Sequence, residues 1–253
     1  VMVCMDGFIL THAYERIDVP SQEQVDAFLP SFEPVQVLDP ADPYSIGAMV
    51  GPEAFTEVRY LAHEKQLQAL RLIPEIAAEF EGIFGRRMGG LVHPYRSEDA
   101  ETIVVALGSV NGTIKEVVDA MRDDGITIGS LGICAFRPFP LDQLRTELQG
   151  AKRIVVIEKS LAVGLGGIVA SNVRMAMHGL THPVYTVIAG LGGRPITMGS
   201  LRETFEAAGD DRLPDTQFLD LDHAAVEHEL IHARDIRRSG PTAENILRRK
   251  GPA

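Results

Sequence analysis

Between residues 100 and 170, short apolar runs alternate with helical patterns, and few folds accept that alternation. Residues 103–107 form a β-branched run, and the glycines at 108 and 112 close it. The next stretch, 113–122, puts Ile114, Val117, Val118 and Met121 on one helical face. A second strand is predicted over 126–136. A second helix is predicted over 141–148, where Leu141, Leu144 and Leu148 face one way. A third strand is predicted over 154–157, then a helix to Met177 and a fourth strand over 184–189. Strands interleaved with amphipathic helices imply βαβ units with right-handed crossovers. The predicted class is α/β, a mostly parallel open sheet flanked by helices.

The flanks read differently. The run from Val1 to Met5 looks like a buried strand already under way, so the expectation is a chain that continues upstream. A turn at Asp6-Gly7 and a short helical stretch to Tyr14 follow. Residues 1–18 are therefore expected to finish an upstream domain. Residues 19–99 are a linker and a helix. Pro20, Pro30, Pro34, Pro40, Pro43 and Pro52 exclude regular helix or a central strand there. Phe28, Leu29, Phe32 and Leu38 make this part an ordered strap over another surface. A long helix is predicted over 53–85, with Pro74 as its kink candidate and Gly85, Gly89 and Gly90 as its stop. The α/β domain spans 100–195. Residues 196–253 are a helical tail, with helices at 200–208, 222–238 and 242–250.

Composition narrows the partners. A net charge of −11 and a pI near 5.2 argue against nucleic acid or an anionic membrane surface. They suit a cytoplasmic protein. Cys4 and Cys134 each sit in an apolar run and are expected to be buried free thiols. With no CxxC spacing, the cysteines build no iron–sulfur or zinc site. No apolar run reaches the ~18–20 residues of a membrane span.

Three motifs carry possible chemistry. His228-Glu229-Leu230-Ile231-His232 has the HExxH form, which on a helix holds zinc between His228 and His232 with Glu229 as general base. Arg234 follows where such helices stay apolar, and no third histidine comes at the metzincin spacing. A surface helix is the favoured reading, with a zinc hydrolase as the alternative. Gly164, Gly166 and Gly167 follow a strand and open a helix, where a phosphate could meet N–H groups. Val169 stands where the dinucleotide pattern needs glycine. Gly108 and Ser109 precede a helix in the same way, without the P-loop lysine. Tight turns and contact with a neighbouring subunit are favoured for both loops. No nucleophile–base pair and no complete cofactor fingerprint emerges.

The blocks Met5-Asp6-Gly7-Phe8-Ile9-Leu10-Thr11-His12, Leu29-Pro30, Leu38-Asp39-Pro40, Gly89-Gly90-Leu91, Phe136-Arg137-Pro138-Phe139-Pro140 and Ala189-Gly190-Leu191-Gly192-Gly193-Arg194 are collinear with a known family. The chain resembles the C-terminal part of the α subunit of pyruvate-type 2-oxoacid:ferredoxin oxidoreductases over residues 1–200. The resemblance implies that 1–18 close a pyrimidine-type thiamine diphosphate domain. It also implies that 100–195 are a domain like the C-terminal domain of transketolase. The implied reaction decarboxylates a 2-oxoacid, pyruvate by default, to acyl-CoA and CO2. Electrons pass to iron–sulfur clusters and then ferredoxin. An aryl or branched-chain 2-oxoacid, with NAD as final acceptor, is the alternative. Thiamine diphosphate with magnesium belongs to the full complex, whose implied partners are a thiamine-binding β, a γ and a ferredoxin-like δ subunit. The clusters lie in other subunits. No catalytic residue is carried over. Asp6, Gly7, Thr11 and His12 match the block nearest the thiamine domain, and either touch its active site or hold the domain junction. Gly108, Ser109, Gly164, Gly166 and Gly167 remain loop candidates for cofactor or subunit contact.

Overall fold

The computed structural model describes residues 2–7, 10–34, 36–45, 47, 49–232 and 242–250. The chain divides into two units, residues 1–217 and 218–253.

The first unit is built on a six-stranded sheet of order β1-β3-β2-β4-β5-β6. Its strands are β1 (Val92–Tyr95), β2 (Thr102–Ala106), β3 (Ile128–Ile133), β4 (Arg153–Glu158), β5 (Val184–Ile188) and β6 (Thr216–Phe218). β3, β2, β4 and β5 run parallel, and β1 pairs antiparallel with β3, Val92 opposite Ile133. The central parallel strands are buried almost throughout and mostly apolar, because both faces are covered. α3 (Val110–Asp123) and α6 (Met198–Gly209) pack together on one face. α4 (Leu141–Leu148) and α5 (Ile168–Ala176) pack together on the other. Ile103, Val105, Ile154 and Val156 join Leu144, Leu148, Val169 and Val173 in one core. The alternating Val104, Ala106, Val155 and Ile157 are equally buried and turn to the α3 side.

The central strands and helices lie where the sequence puts them. The edges do not. β1 contains Pro94, which lacks the N–H a central strand needs and is tolerated on an edge. β6 is three residues long at the opposite edge.

The linker also holds more order than expected. α1 (Gln22–Phe28) lies inside the proline-rich strap and starts on a capping box. Ser21 Oγ accepts from Gln24 N, and Gln24 Oε1 accepts from Ser21 N. Phe28 meets Phe80 and Phe84 edge-on, with ring centroids 5.5 and 5.6 Å away. Those two rings belong to α2 (Phe55–Phe84), which runs through Pro74 and ends at the left-handed Gly85. α2 buries no residue fully, and Phe55, Val58, Leu61, Leu67, Leu72 and Ile76 are exposed.

The expected N-terminal strand and helix are not formed. Met2, Val3, Cys4 and Met5 are exposed and in no strand, and none of the described residues before Tyr14 is helical. Both cysteines are exposed rather than buried. An apolar run makes a strand only where a neighbouring strand accepts its hydrogen bonds, and none is paired with residues 2–5.

Among the described residues of the second unit, α7 (His223–His232) and α8 (Thr242–Lys250) are helical, and Lys250 Nζ lies 3.1 Å from Asp222. The expected helix over 222–238 is described only to His232; residues 233–238 lie outside the described residues. No described helix is long and apolar enough to cross a membrane.

Candidate functional site

The carboxyl ends of parallel strands are where open α/β sheets gather ligands, above all where adjacent strands send their connections to opposite faces. Here that point lies between β2, which leads to α3, and β4, which leads to α5. The structure brings several of the sequence candidates to it.

Asp6 sits over the end of β2. Its Oδ2 accepts from the Ser109 backbone N–H at 2.7 Å, just ahead of α3. Lys159, the residue after β4, places Nζ 3.7 Å from Asp6 Oδ1. The Ser109 hydroxyl and N–H hold the Asp6 carboxyl below its ordinary value of 3.8, against partial burial, and the Lys159 charge adds to this. The contact therefore stabilises the fold fully above that value, and is lost as pH falls through the lowered one. A carboxyl-carbon NMR titration should find Asp6 more than half ionised at pH 3.8. A midpoint at or above that pH would contradict the geometry.

The second loop is organised by a carboxylate from below. Glu158, the last residue of β4, is buried, and its two oxygens accept from Val169 N at 2.8 Å and Ala170 N at 2.9 Å. These are first-turn N–H groups of α5 that no helical carbonyl can reach. Gly167 makes this cap possible, because a Cβ there would land on Glu158 Oε1. Gly164 and Gly166 have left-handed φ values of 86° and 114°, with open space beside them.

Gly7 has open space around it. Thr11 and His12 are exposed, with Thr11 Oγ1 3.0 Å from His12 Nδ1. Arg137 stacks on Phe136, 4.3 Å from the ring centroid, beside a cis Arg137–Pro138 bond.

Sequence reasoning missed Lys159 and Glu158, and took Gly190 only as part of a glycine-rich family block suited to subunit contact. A charged pair directly after an apolar strand run was the available signal for the first two. Gly190 has φ 74°, and a Cβ there would stand 2.9 Å from Lys159 Cε. It leaves room for the lysine stem.

In the HExxH segment, His228 Nδ1 lies 3.3 Å from Glu229 Oε1. The His232 side chain and Arg234 lie outside the described residues. Among the described residues, no three His, Cys, Asp or Glu side chains converge as metal ligands. The N–H groups at Ser109, Val169 and Ala170 already serve the chain's own carboxylates. The residues present therefore do not fit a self-contained site for thiamine diphosphate and its magnesium.

Two family models match the sequence. Residues 1–78 match the one described as pyruvate flavodoxin/ferredoxin oxidoreductase, thiamine diP-bdg. Residues 100–201 match pyruvate:ferredoxin oxidoreductase core domain II. The pyruvate synthase subunit PorA of Methanothermobacter thermautotrophicus is 41% identical over 202 residues, which is 80% of this chain and 52% of that protein. The PorA of Methanosarcina barkeri is 39% identical over 227 residues, 87% and 56% of the two chains. The chain thus spans about half the length of the curated relatives it matches. Among solved structures, a 2-oxoglutarate:ferredoxin oxidoreductase from Magnetococcus marinus is 17% identical. It covers 46% of this chain and 19% of its own, with a TM-score of 0.38. Nothing in these matches favours a zinc hydrolase.

Proposed function

This chain belongs to the α-subunit family of the pyruvate-type 2-oxoacid:ferredoxin oxidoreductases, and on that premise we propose that it is part of an enzyme converting a 2-oxoacid to acyl-CoA and CO2. Pyruvate is the proposed substrate. The two electrons released pass to iron–sulfur clusters and then to ferredoxin. The observation that carries this reading is the match to pyruvate synthase α subunits at about 40% identity over four-fifths of the chain. Thiamine diphosphate, when bound in the whole enzyme, supplies the carbanion chemistry.

This segment contributes position and docking. Its loop N–H groups at Ser109, Val169 and Ala170 are capped internally. The exposed apolar residues of α2 offer contact area of the kind that partner subunits cover. The proposed partners are a thiamine-binding β, a γ and a ferredoxin-like δ subunit, which hold the magnesium and the clusters. A cytoplasmic location is part of the proposal, since ferredoxin and coenzyme A are met there.

Reconstitution tests it. The purified chain alone should reduce no acceptor with pyruvate and coenzyme A. The assembly with its partner subunits and thiamine diphosphate should do so. Turnover by the isolated chain, or an inert assembly, sinks the proposal.

A further inference from the structure

Asp6 ties the N-terminal segment to the sheet. Among the described residues of 2–19, Asp6 alone is not exposed. Its carboxylate meets a residue 103 positions away, and both oxygens are engaged, Oδ2 by Ser109 N and Oδ1 by Lys159 Nζ. Ser109 immediately precedes α3, so its N–H has no helical partner and lies at the positive end of the dipole. Gly108 has φ 78°, and a Cβ there would stand 3.1 Å from Asp6 Oδ2. Gly190 makes the same room for the Lys159 stem. Two glycines, a lysine and a helix start, from three strand ends, thus converge on one carboxylate. The Asp18–Arg86 pair, 3.4 Å long and exposed, is the weaker tether at the far end of the segment.

We infer that Asp6 is a positioning residue that pins residues 2–19 onto the carboxyl edge of the sheet, between β2 and β4. Those residues lie in the stretch matched by the thiamine diphosphate-binding model. On the proposed function, on which this step rests, the pin fixes where that cofactor-domain portion stands against the α/β domain. A pre-set arrangement lowers the ordering cost of cofactor binding.

The chain supplies its own probes. Its two cysteines, Cys4 and Cys134, are both exposed and accept a spin-label pair without added substitutions. Cys4 is two residues from the pin, and Cys134 directly follows β3. The full wild-type chain should give one narrow label-to-label distance distribution. Asp6→Ala should at least double its width. Lys159→Met keeps the stem and should broaden it less. The melting temperature should fall by no more than about 4 °C in either, the loss of one partly exposed contact. An unchanged distribution in Asp6→Ala overturns the inference, and so does broadening that comes with a larger fall in melting temperature.

In the assembled oxidoreductase, Asp6→Ala should raise the thiamine diphosphate concentration for half-maximal activity roughly tenfold, with kcat at saturation held within about twofold. An unchanged half-saturation overturns the positioning role. If the wild-type assembly shows no 2-oxoacid-dependent acceptor reduction, the proposed function fails by itself, and the label distances still decide the pin.

Discussion

Gly129→Ala is expected to destabilise the α/β unit by roughly 3 kcal/mol, at the upper end for an overpacked site. Gly129 sits inside β3, directly beneath the chain that leaves β1. A Cβ there would land on the Arg96 carbonyl oxygen, 2.8 Å from its carbon and 2.9 Å from Ser97 Cα. These are backbone atoms, so no rotamer change relieves the clash. Neither side can retreat. β3 is held between β1 and β2. The Arg96 carbonyl accepts from Arg122 Nη2 at 2.7 Å, and the same guanidinium donates to Ile128 O and grips Asp99 through both Nη atoms. Gly132→Ala, in the same strand, is the control. Its nearest neighbour is a side-chain atom, Asn111 Oδ1 at 3.3 Å, and a loss of roughly 1 kcal/mol is expected. For a unit of this size, Gly129→Ala should lower Tm by about 6–12 °C. Calorimetry on the full chain checks it, and a Tm within about a degree of wild type would refute the close crossing at Arg96.

Gly129 also shows where the sequence was legible. Its strand was readable because both faces of a central parallel strand are apolar, so the run stands out whatever its partners. The reason for a glycine there was not, because the obstruction comes from a carbonyl 33 positions earlier, just past an edge strand that Pro94 disguises. α1 was the opposite case. Its Ser21–Gln24 capping box was written in the sequence, but six surrounding prolines outweighed it. The run from Val1 to Met5 was misleading, because its apolar pattern says nothing about whether a strand stands beside it to pair with. For the site, the loops were found and their occupants were not. Asp6 was singled out for its family block, and Gly108 and Ser109 for their place after a strand. Only folding joins them, and only folding shows Lys159 as the cation that completes the contact.

The second large effect is expected at Glu158. Glu158→Ala leaves the Val169 and Ala170 N–H groups in a buried setting without an acceptor, a loss of roughly 3 kcal/mol for the pair. Glu158→Gln keeps one accepting oxygen but turns an NH2 toward the other N–H, so about half that loss is expected. Gly167→Ala attacks the same cap from the other side. Its Cβ would meet Glu158 Oε1 and stand 2.7 Å from Thr186 Cγ2, which forces the carboxylate away from α5. The two substitutions should therefore not add. Once Glu158 is alanine, the new methyl meets one fewer obstacle, and the double variant should lie within about 1 kcal/mol of Glu158→Ala alone. Amide exchange at Val169 and Ala170 should accelerate in both single variants, while the β2 amides exchange by global unfolding. Full additivity in the double-mutant cycle would mean that Gly167 serves the turn alone. The capping account of the Gly164–Gly167 loop would then be wrong, and its first N–H groups would again be available to a ligand.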